Sequence, residues 1–425
     1  MNFKHEFSVG PQTLVAMIMV AVLMVACGGG GGGGTTTPNP SLSRKGSGPL
    51  ISPPAATGNV VPIVIDAGPV PEASEINVAY VSVTVCTPGT AGTMTACQTI
   101  DHVLVDTGSS GLRLLNSALY SNLNLPAVTN SSGAIGECMT FADGFTWGSV
   151  RSADIYLGGE VAPSVPIQVI GDQLGGATAV PTDCSSTGGI NENISALLGA
   201  NGILGVGLFT NDCDICLTQP ISAAYYTCTA TGCTNSTVTS AQVVQNPVAL
   251  FLQDNNGVLI DLPAVSAAGA SILNGSLIFG IGTQWNNQLG SATVYATDQY
   301  GNFITNFNGA NTSYIDSGSN ALFFYDSNIP ICPVTTWAYC PPSPTFLKSL
   351  SATNSAATTG TPSGMVNFSI VNADHLDVSI VAANIGGTST RGQFDWGLPF
   401  FFGRKVFTAI SGMGTPGPSG PYFAY

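Results

Sequence analysis

The sequence has little charge, and positive charge is the scarcest. Only 8% of its 425 residues are charged, and nine Lys and Arg stand against 23 Asp and Glu, so the formal net charge is −14. A nucleic-acid partner requires a basic stripe that neutralises phosphates, and no stretch of this sequence supplies one. We therefore expect no nucleic-acid partner and interpret the acidity as a contribution to solubility.

Histidine and long hydrophobic runs are also scarce. Two His, His102 and His375, lie beyond the first thirty residues, and neither belongs to a catalytic triad or metal-ligand pattern. The apolar run 14–26 has thirteen residues, which is too short to span a bilayer comfortably. We expect no metal site, no cofactor and no membrane-spanning helix.

Glycine and proline, in contrast, are abundant. The chain holds 52 Gly and 27 Pro among many Ser, Thr and Asn, a composition typical of short strands joined by turns and not of helical bundles. A chain of this length can enclose two lobes with sizeable cores. The stretch 292–307 predicts one hairpin, with Tyr300-Gly301-Asn302 at its turn.

The N-terminal segment 1–26 fits a secretory signal. Lys4 precedes the apolar run, which ends in Leu23-Met24-Val25-Ala26-Cys27 and then seven glycines. This ending resembles a bacterial lipobox, in which Cys27 carries the lipid and starts the mature chain; the alternative is an ordinary cleaved signal with an incidental Cys. Gly29, where Asp would signal inner-membrane retention, favours the outer membrane. Residues 27–58 predict a flexible Gly/Pro/Ser/Thr-rich tether.

The cysteine count agrees with an oxidising compartment. Eleven Cys are present, and setting Cys27 aside leaves an even number. A Cys-x-x-Cys could also be a redox or zinc motif, but no second copy and no nearby His supports it, so a structural bridge is favoured. The candidate pairs are Cys86 with Cys97, Cys138 with Cys184, Cys213 with Cys216, Cys228 with Cys233, and Cys332 with Cys340.

One motif occurs twice. An apolar strand runs into Asp106-Thr107-Gly108-Ser109, and a second runs into Asp316-Ser317-Gly318-Ser319. Each copy has a later apolar-Gly partner, 202–205 after the first and 396–398 after the second. A single Asp-Ser-Gly would be an ordinary turn. Two copies with matched partners indicate a duplicated lobe that supplies one carboxylate per copy.

The residue types in this motif suit one kind of chemistry. Two carboxyl groups in contact cannot both ionise, so they share one proton. The ionised group can take a proton from water while the protonated group polarises a peptide carbonyl. Gly108 and Gly318 permit tight turns and close backbone approach. The hydroxyls of Ser109 and Ser319 can hold the outer carboxylate oxygens, which keeps the two groups coplanar.

These residues resemble the pepsin-like aspartic proteases, and the order of segments matches from about residue 59 to 425. The chain is also similar to an uncharacterised bacterial lipoprotein group related to that fold. The segments that carry the resemblance are VDTGSSGLRLL, MTFADGFTWG in the place of the flap hairpin, NGILGVG, GSLIFGIG, YIDSGSNALFF and WGLPFFFGRKVFTAI.

The resemblance implies an all-β bilobal fold with a cleft between two duplicated lobes, 59–283 and 284–425. It also implies a monomeric, lipid-anchored aspartic endopeptidase of the cell envelope, with Asp106 and Asp316 as the catalytic pair and a peptide or protein substrate in the cleft. A second hypothesis is a catalytically silent protein that uses the same cleft to bind a peptide or a glycan.

Two positions depart from the protease pattern. Arg113 stands where the proteases usually carry Trp, and Phe141 stands where the flap usually carries Tyr, so the Tyr–Trp hydrogen bond that orders the flap cannot form. We expect Arg113 to place a cation near Asp106 and to lower the shared pKa of the pair. Phe141, Phe145 and Trp147 are candidates for the substrate cleft, with burial in the core as the alternative.

Overall fold

A computed structural model describes residues 43–54, 58–89, 96–174, 179–342, 347–376 and 381–425. The expected signal segment 1–26, the lipidation site Cys27 and the first part of the tether lie outside the described residues.

The all-β prediction is confirmed, since strands make up 43% of the described residues and helices 8%. None of the helices in the described residues is long and apolar enough to cross a membrane. The helices are α1 Thr182–Ser185 and α2 Ser195–Leu198, with 3-10 helices at Pro71–Ala73, Asn116–Ala118, Ile215–Leu217, Pro247–Leu250, Ala373–His375 and Leu398–Phe401. The strands are β1 Val60–Ile65, β2 Ala79–Cys86, β3 Cys97–Asp106, β4 Ser110–Leu115, β5 Ala134–Thr140, β6 Gly144–Leu157, β7 Glu160–Ile170, β8 Ile190–Asn191, β9 Gly202–Val206, β10 Tyr225–Thr229, β11 Gly232–Asn235, β12 Gly257–Leu262, β13 Leu273–Phe279, β14 Val294–Ala296, β15 Phe303–Asn306, β16 Ala310–Ile315, β17 Leu322–Phe324, β18 Leu347–Ser355, β19 Ser363–Val371, β20 Gly386–Thr388, β21 Gln393–Trp396, β22 Arg404–Ala409 and β23 Tyr422–Ala424.

Strand alternation builds the core. In β1, Val61, Ile63 and Ile65 are buried, while the residues between them are exposed or partly exposed. Successive side chains of a strand point to opposite faces, so this pattern buries one face only. Strand β4 is buried on both faces throughout, and Ser110 and Arg113 are its buried polar residues.

The described strands form two sheets. The larger has sixteen strands in the order β11-β10-β5-β6-β7-β4-β9-β3-β2-β1-β13-β12-β22-β23-β14, with β8 paired to β6; the smaller has seven in the order β19-β18-β15-β16-β21-β17-β20. Strands β22 and β23 follow the smaller sheet in sequence but pair with β12 and β14 in the larger. The expected division of the chain at 283/284 therefore does not separate the two sheets.

The hairpin expected over 292–307 does not form. The turn is present, because the carboxylate of Asp298 accepts hydrogen bonds from the backbone N–H groups of Tyr300 and Asn302 at 2.8 and 2.9 Å. However, β14 pairs with β23, whereas β15 pairs with β16 and β18. This turn carries the chain from the larger sheet to the smaller.

Part of the expected tether is ordered against the larger sheet. Arg44 donates from Nε to Asn116 Oδ1 at 3.0 Å and from Nη1 to the Leu123 carbonyl at 2.7 Å. Ile51 exchanges backbone hydrogen bonds with Cys97. Residues 43–54 are thus held by backbone pairing and by the half-buried Arg44 side chain, and a Gly/Pro/Ser/Thr-rich composition did not reveal these contacts.

The sequence duplication is also a duplication of topology. In the first copy, β3 pairs in parallel with β9, β4 pairs antiparallel with β9, and β4 pairs in parallel with β7. In the second copy, β16, β21, β17 and β20 repeat the same three pairings in the same order. Asp106, the last residue of β3, and Asp316, the residue after β16, thus lie at equivalent positions in the two strand arrangements.

The five cysteine pairs expected from the sequence are the five disulfides of the structure. Cys86 and Cys97 join the paired strands β2 and β3, and Cys228 and Cys233 join β10 and β11. Cys213 and Cys216 form a disulfide, so this Cys-x-x-Cys is a structural bridge in the molecule. The remaining two are Cys138–Cys184 and Cys332–Cys340.

Candidate functional site

The two motif loops meet back to back and are joined by reciprocal hydrogen bonds. The backbone N–H of Thr107 donates to Ser317 Oγ at 3.1 Å, and the N–H of Ser317 donates to Thr107 Oγ1 at 2.9 Å. The Thr107 hydroxyl donates to the carbonyl of Ile315 at 3.0 Å, and the Ser317 hydroxyl donates to that of Val105 at 2.7 Å. Four hydrogen bonds related by a pseudo-two-fold thus fix one loop against the other.

This junction places the Asp106 and Asp316 side chains within hydrogen-bonding reach of each other. In the first copy, Gly108 N–H donates to Asp106 Oδ1 at 2.7 Å, and the Ser109 hydroxyl donates to Oδ2. In the second copy, Gly318 N–H and the Ser319 hydroxyl donate to the two oxygens of Asp316 at 2.8 and 2.9 Å. Each carboxyl group is therefore held by the same two donors of its own loop.

Glycine is required in both loops because each backbone lies against the opposite carboxyl group. A Cβ at Gly108 would lie 2.7 Å from Asp316 Cγ, and one at Gly318 would lie 2.8 Å from Asp106 Oδ1. Both distances are shorter than any real contact of a Cβ atom. The contact between the carboxyl groups therefore depends on residues 108 and 318 having no Cβ atom.

The surroundings of Asp316 favour its protonated form. Burial raises its pKa well above the ordinary value, and the negative charges of Asp106 and then Asp395 raise it further. Two carboxyl groups this close titrate as a pair, with one proton retained over a wide pH range. The Asp106 side chain is 6% exposed, and Asp316 is partly exposed.

Asp395 is a third acidic group at this site that the sequence reasoning missed. It lies on β21 directly opposite Tyr314, two residues before Asp316 on the neighbouring strand β16. Its side chain is 5% exposed and lies within hydrogen-bonding reach of Ser319. Burial raises its pKa well above the ordinary value; the hydrogen bond with Ser319 opposes this shift, and the charge of Asp106 adds to it. The available signal was its place two residues before Gly397, where the first copy carries Ile203 before Gly205.

The aromatic residues near the β5–β6 hairpin belong mostly to the core, so the core alternative holds for two of the three candidate cleft residues. Phe145 and Trp147 are 4% and 6% exposed, and Trp147 meets the Tyr226 ring edge-on at 5.1 Å between centroids. Phe145 and Trp147 are two residues apart, so both lie on the same face of β6, where they pack with Tyr226 and Leu174. Phe141 is partly exposed, and its backbone N–H closes the hairpin turn on the Gly144 carbonyl at 2.8 Å.

Arg113 lies inside the protein and not in a cleft. Its guanidinium group is fully buried and donates to Glu137 Oε1 at 2.6 Å, to Asp212 Oδ2 at 2.9 Å and to the Ser110 carbonyl at 2.9 Å. The expectation that Arg113 lowers the pKa of the carboxyl pair is wrong, because two other carboxyl groups compensate its charge. The pKa of Asp316 is raised instead.

The tip of the β5–β6 hairpin is fastened by a second group of acids. Strand β8 pairs with the start of β6, and Glu192 N–H donates to the Phe145 carbonyl at 2.9 Å. Burial raises the pKa of Glu192 to about 9, and Asp143 at the hairpin tip adds to this through its charge and a hydrogen bond. Burial also raises the pKa of Glu75 to about 7, and Asp143 again contributes.

Comparison with known families adds one relationship. Residues 55–425 match the family described as "Protein of unknown function (DUF3443)". The chain belongs to this family. No curated protein matches the chain. The matched region contains both motif loops, Asp395 and all five disulfides, so the whole described site is part of the shared domain.

Within the described residues, the group of side chains best placed to hold a metal ion is Cys332, Cys340 and Asp374. The two Cys are joined in a disulfide and offer no thiolate. The Asp374 carboxylate accepts hydrogen bonds from the backbone N–H groups of Val334 and Thr335 at 3.2 and 2.8 Å. This group is therefore explained as a structural element of the loop.

Proposed function

We propose that this protein is an aspartic-type endopeptidase in which Asp106 and Asp316 activate a water molecule for peptide-bond hydrolysis. The observation that carries the proposal is the reciprocal bonding of Thr107 and Ser317, beside which the two carboxyl groups lie within hydrogen-bonding reach of each other.

The chemistry follows from the shared proton. The raised pKa of Asp316 keeps one proton on the pair at a pH where isolated carboxyl groups are ionised. The protonated group donates a hydrogen bond to the scissile carbonyl, and the ionised group takes a proton from the attacking water. Donors from Gly108, Ser109, Gly318 and Ser319 keep both groups oriented throughout, so little reorganisation is needed.

The proposed architecture is the bilobal pepsin-like fold, with the substrate in a cleft between lobes. The duplicated strand pairing around each Asp supports it, as does the position of a long hairpin, β5–β6, in the place of the protease flap. Phe141 near the hairpin tip would contact an extended peptide through its ring alone. The proposed partner is a peptide or protein substrate, and the proposed assembly is a monomer.

The proposed location is the outer membrane of a bacterial cell envelope, with a lipid on Cys27. The five disulfides support an oxidising compartment. Metabolic labelling with a radioactive fatty acid tests the anchor: label should enter the wild-type protein and not the Cys27→Ser variant. Equal labelling of both would remove the lipoprotein assignment.

The decisive experiment is peptide-library cleavage by the purified protein from strongly acidic to neutral pH. Asp106→Asn and Asp316→Asn should each lower turnover by about 10²–10⁴-fold, because the two acids act as a unit. The matched control is Asp261→Asn, since Asp261 is on the surface and paired with Lys405. If wild type cleaves nothing, yet binds a peptide or glycan equally well before and after Asp106→Asn, the silent binding protein replaces the peptidase.

A further inference from the structure

The residue after the serine of each motif has its carbonyl group held by a buried side chain. In the first copy, Arg113 donates from Nη1 to the Ser110 carbonyl at 2.9 Å. In the second copy, the corresponding carbonyl belongs to Asn320, and the Asn77 amide donates to it from Nδ2 at 2.9 Å. Arg113 is 0% exposed and Asn77 is 2% exposed. The two motif loops thus share one kind of anchor, supplied by two unrelated residues.

The second copy cannot supply this donor from its own strand. Arg113 lies opposite Ile203 in the pairing of β4 with β9, and Phe323 lies opposite Asp395 in the equivalent pairing of β17 with β21. Phe323 is therefore the counterpart of Arg113, and its side chain has no hydrogen-bond donor. Asn77 provides the donor instead, from the segment just before β2, a strand of the larger sheet. The larger sheet thus helps to hold a loop of the smaller sheet.

Two requirements select asparagine at position 77. Its backbone φ is 56°, in the left-handed region where Asn is enriched among residues that carry a side chain. Its amide makes three hydrogen bonds: Nδ2 donates to the Asn320 and Ala382 carbonyls at 2.9 and 2.7 Å, and Oδ1 accepts from the Ala382 N–H at 2.8 Å. Ala382 lies between β19 and β20, two strands of the smaller sheet. One side chain therefore joins two loops of the smaller sheet to the start of β2.

The anchored carbonyl is one residue away from a group that orients Asp316. The Ser319 hydroxyl donates to Asp316 Oδ2 at 2.9 Å, and Asn320 follows Ser319 directly. The loop is also fixed at Ser317, by its reciprocal bonds with the first motif loop. Anchors on both sides of the loop hold the Asp316 carboxyl group against Asp106. Loss of the residue 77 amide would loosen the Asn320 side, and with it the serine that orients the carboxyl group.

We propose that Asn77 is a positioning residue of the carboxyl pair, which holds the Asn320 carbonyl from the larger sheet and so fixes the Asp316 loop at the distance from Asp106 that a shared proton requires. For its effect on catalysis, this inference rests on the proposed peptidase function of the two aspartates. Asn77 acts through Asn320 and Ser319 and not by contact with the substrate.

A looser loop would weaken the coupling between the two carboxyl groups. Two acids in contact lose their first proton at an unusually low pH and their last at an unusually high pH, because a proton shared between them stabilises the singly ionised state. A larger separation brings the two titration midpoints closer together. The midpoint of the last proton should therefore fall and that of the first should rise. A loss of overall stability does not cause this change in molecules that remain folded.

The test compares wild type with Asn77→Gly and Asn77→Ser. Glycine permits the left-handed backbone and removes all three hydrogen bonds, whereas the serine hydroxyl has one hydrogen to donate in place of two. Carboxyl signals of protein with ¹³C-labelled Asp are followed by NMR across the pH range, and Asp106→Asn and Asp316→Asn identify the signals of the pair. The midpoint of the last proton should fall by at least about one unit in Asn77→Gly, a tenfold change in proton affinity, and by less in Asn77→Ser.

Asn256 offers a matched control. It is 5% exposed, and its amide makes the same set of bonds: Nδ2 donates to the Ile281 and Gly414 carbonyls at 3.0 and 2.9 Å, and Oδ1 accepts from the Ile281 N–H at 2.7 Å. Neither Ile281 nor Gly414 belongs to a motif loop. Asn256→Gly and Asn256→Ser should lower the urea midpoint of unfolding as the Asn77 variants do, and should leave both titration midpoints of the pair unchanged.

Peptide hydrolysis gives the second readout. A misplacement of about 1 Å can lower a rate about 10²-fold, so Asn77→Gly should lower kcat by about 10–100-fold while KM stays within about threefold of wild type. Asn256→Gly should leave both constants close to their wild-type values. This split between kcat and KM separates a loss of positioning from a loss of substrate binding.

Unchanged titration midpoints in a folded Asn77 variant would overturn the inference, and so would equal shifts in the Asn77 and Asn256 variants. Failure of both Asn77 variants to fold, when both Asn256 variants fold, would also reject it, because Asn77 would then serve the fold alone. Shifted midpoints in a protein that hydrolyses no peptide would retain the role of Asn77 in the pair and reject the peptidase. Hydrolysis with an unchanged kcat in Asn77→Gly would retain the peptidase and reject the positioning role.

Discussion

At the scale of single residues, two glycines determine how close the carboxyl groups come. A Cβ on residue 108 would overlap the Asp316 carboxyl group, which is fixed by two donors and cannot move aside freely. We expect Gly108→Ala to lower the free energy of unfolding by about 1–3 kcal/mol and to separate the two acids. Urea unfolding measures the first effect, and the titration of Asp316 measures the second.

The matched control for this substitution is Gly414→Ala. A Cβ there would meet no atom within 4 Å. Its stability should stay within about 0.5 kcal/mol of wild type. Equal stabilities of Gly108→Ala and wild type would show that the loops tolerate a wider separation than this geometry implies.

Residue-level prediction succeeded where a pattern was repeated and failed where a contact was unique. The placement of Ser109 and Ser319 beside the carboxyl oxygens followed from two copies of one motif. Asp395 was missed because one acid inside an apolar segment has no periodic signal. Arg113 was misplaced because its partners, Glu137 and Asp212, lie in other segments, and nothing in the sequence pairs the three.

At the scale of elements, Arg113 joins strand β4 to the hairpin strand β5 and to the loop at Asp212. Replacing it with Trp, the residue that the protease pattern suggests, would leave Glu137 and Asp212 buried without a cation. We expect Arg113→Trp and Arg113→Met each to cost about 3–5 kcal/mol of unfolding free energy, measured by urea denaturation.

The control removes all three charges together. Arg113→Met with Glu137→Gln and Asp212→Asn should recover a large part of the loss, because no uncompensated charge remains buried. A triple variant as unstable as the single one would show that packing of the Arg113 side chain, and not charge compensation, is its main contribution.

Elements were easier to predict than their partners. The turn at Tyr300–Asn302 is local, since Asp298 caps it from a few residues away, and composition indicated it correctly. The strands on either side pair with residues far along the chain, β14 with β23 and β15 with β18. Pairing of distant strands depends on the whole packing of the sheets, which local sequence patterns do not encode.

At the scale of the whole molecule, buried acids link stability to pH. Glu192 and Glu75 have pKa values raised to about 9 and about 7, whereas unfolded Glu titrates near about 4.3. Between these values the folded state binds more protons than the unfolded state, so stability is greatest below the unfolded pKa and falls as pH rises toward 9. We expect Tm to be higher at pH 5 than at pH 8 by several degrees.

Thermal unfolding at constant ionic strength measures this slope. Glu192→Gln should flatten it, because a neutral amide keeps the hydrogen bond to the hairpin tip without titrating. The exposed Glu72→Gln serves as the control and should leave the slope unchanged. A Tm that is constant or rises between pH 5 and pH 8 would contradict the raised pKa values.

The pairing of β12 with β22 and of β14 with β23 also governs the order in which the larger sheet can be completed as the chain emerges from its N-terminus onward. Residues 404–424 emerge about 140 residues after the end of β12, so the β12 edge of the larger sheet stays unpaired over that interval. Contacts between residues so far apart form slowly, and an open edge invites mispairing or proteolysis in the meantime. An emerging chain thus carries Asp106 for about 210 residues before Ser317 is present to bond with Thr107. A chain interrupted before β22 contains both acids but lacks the two strands that complete the larger sheet.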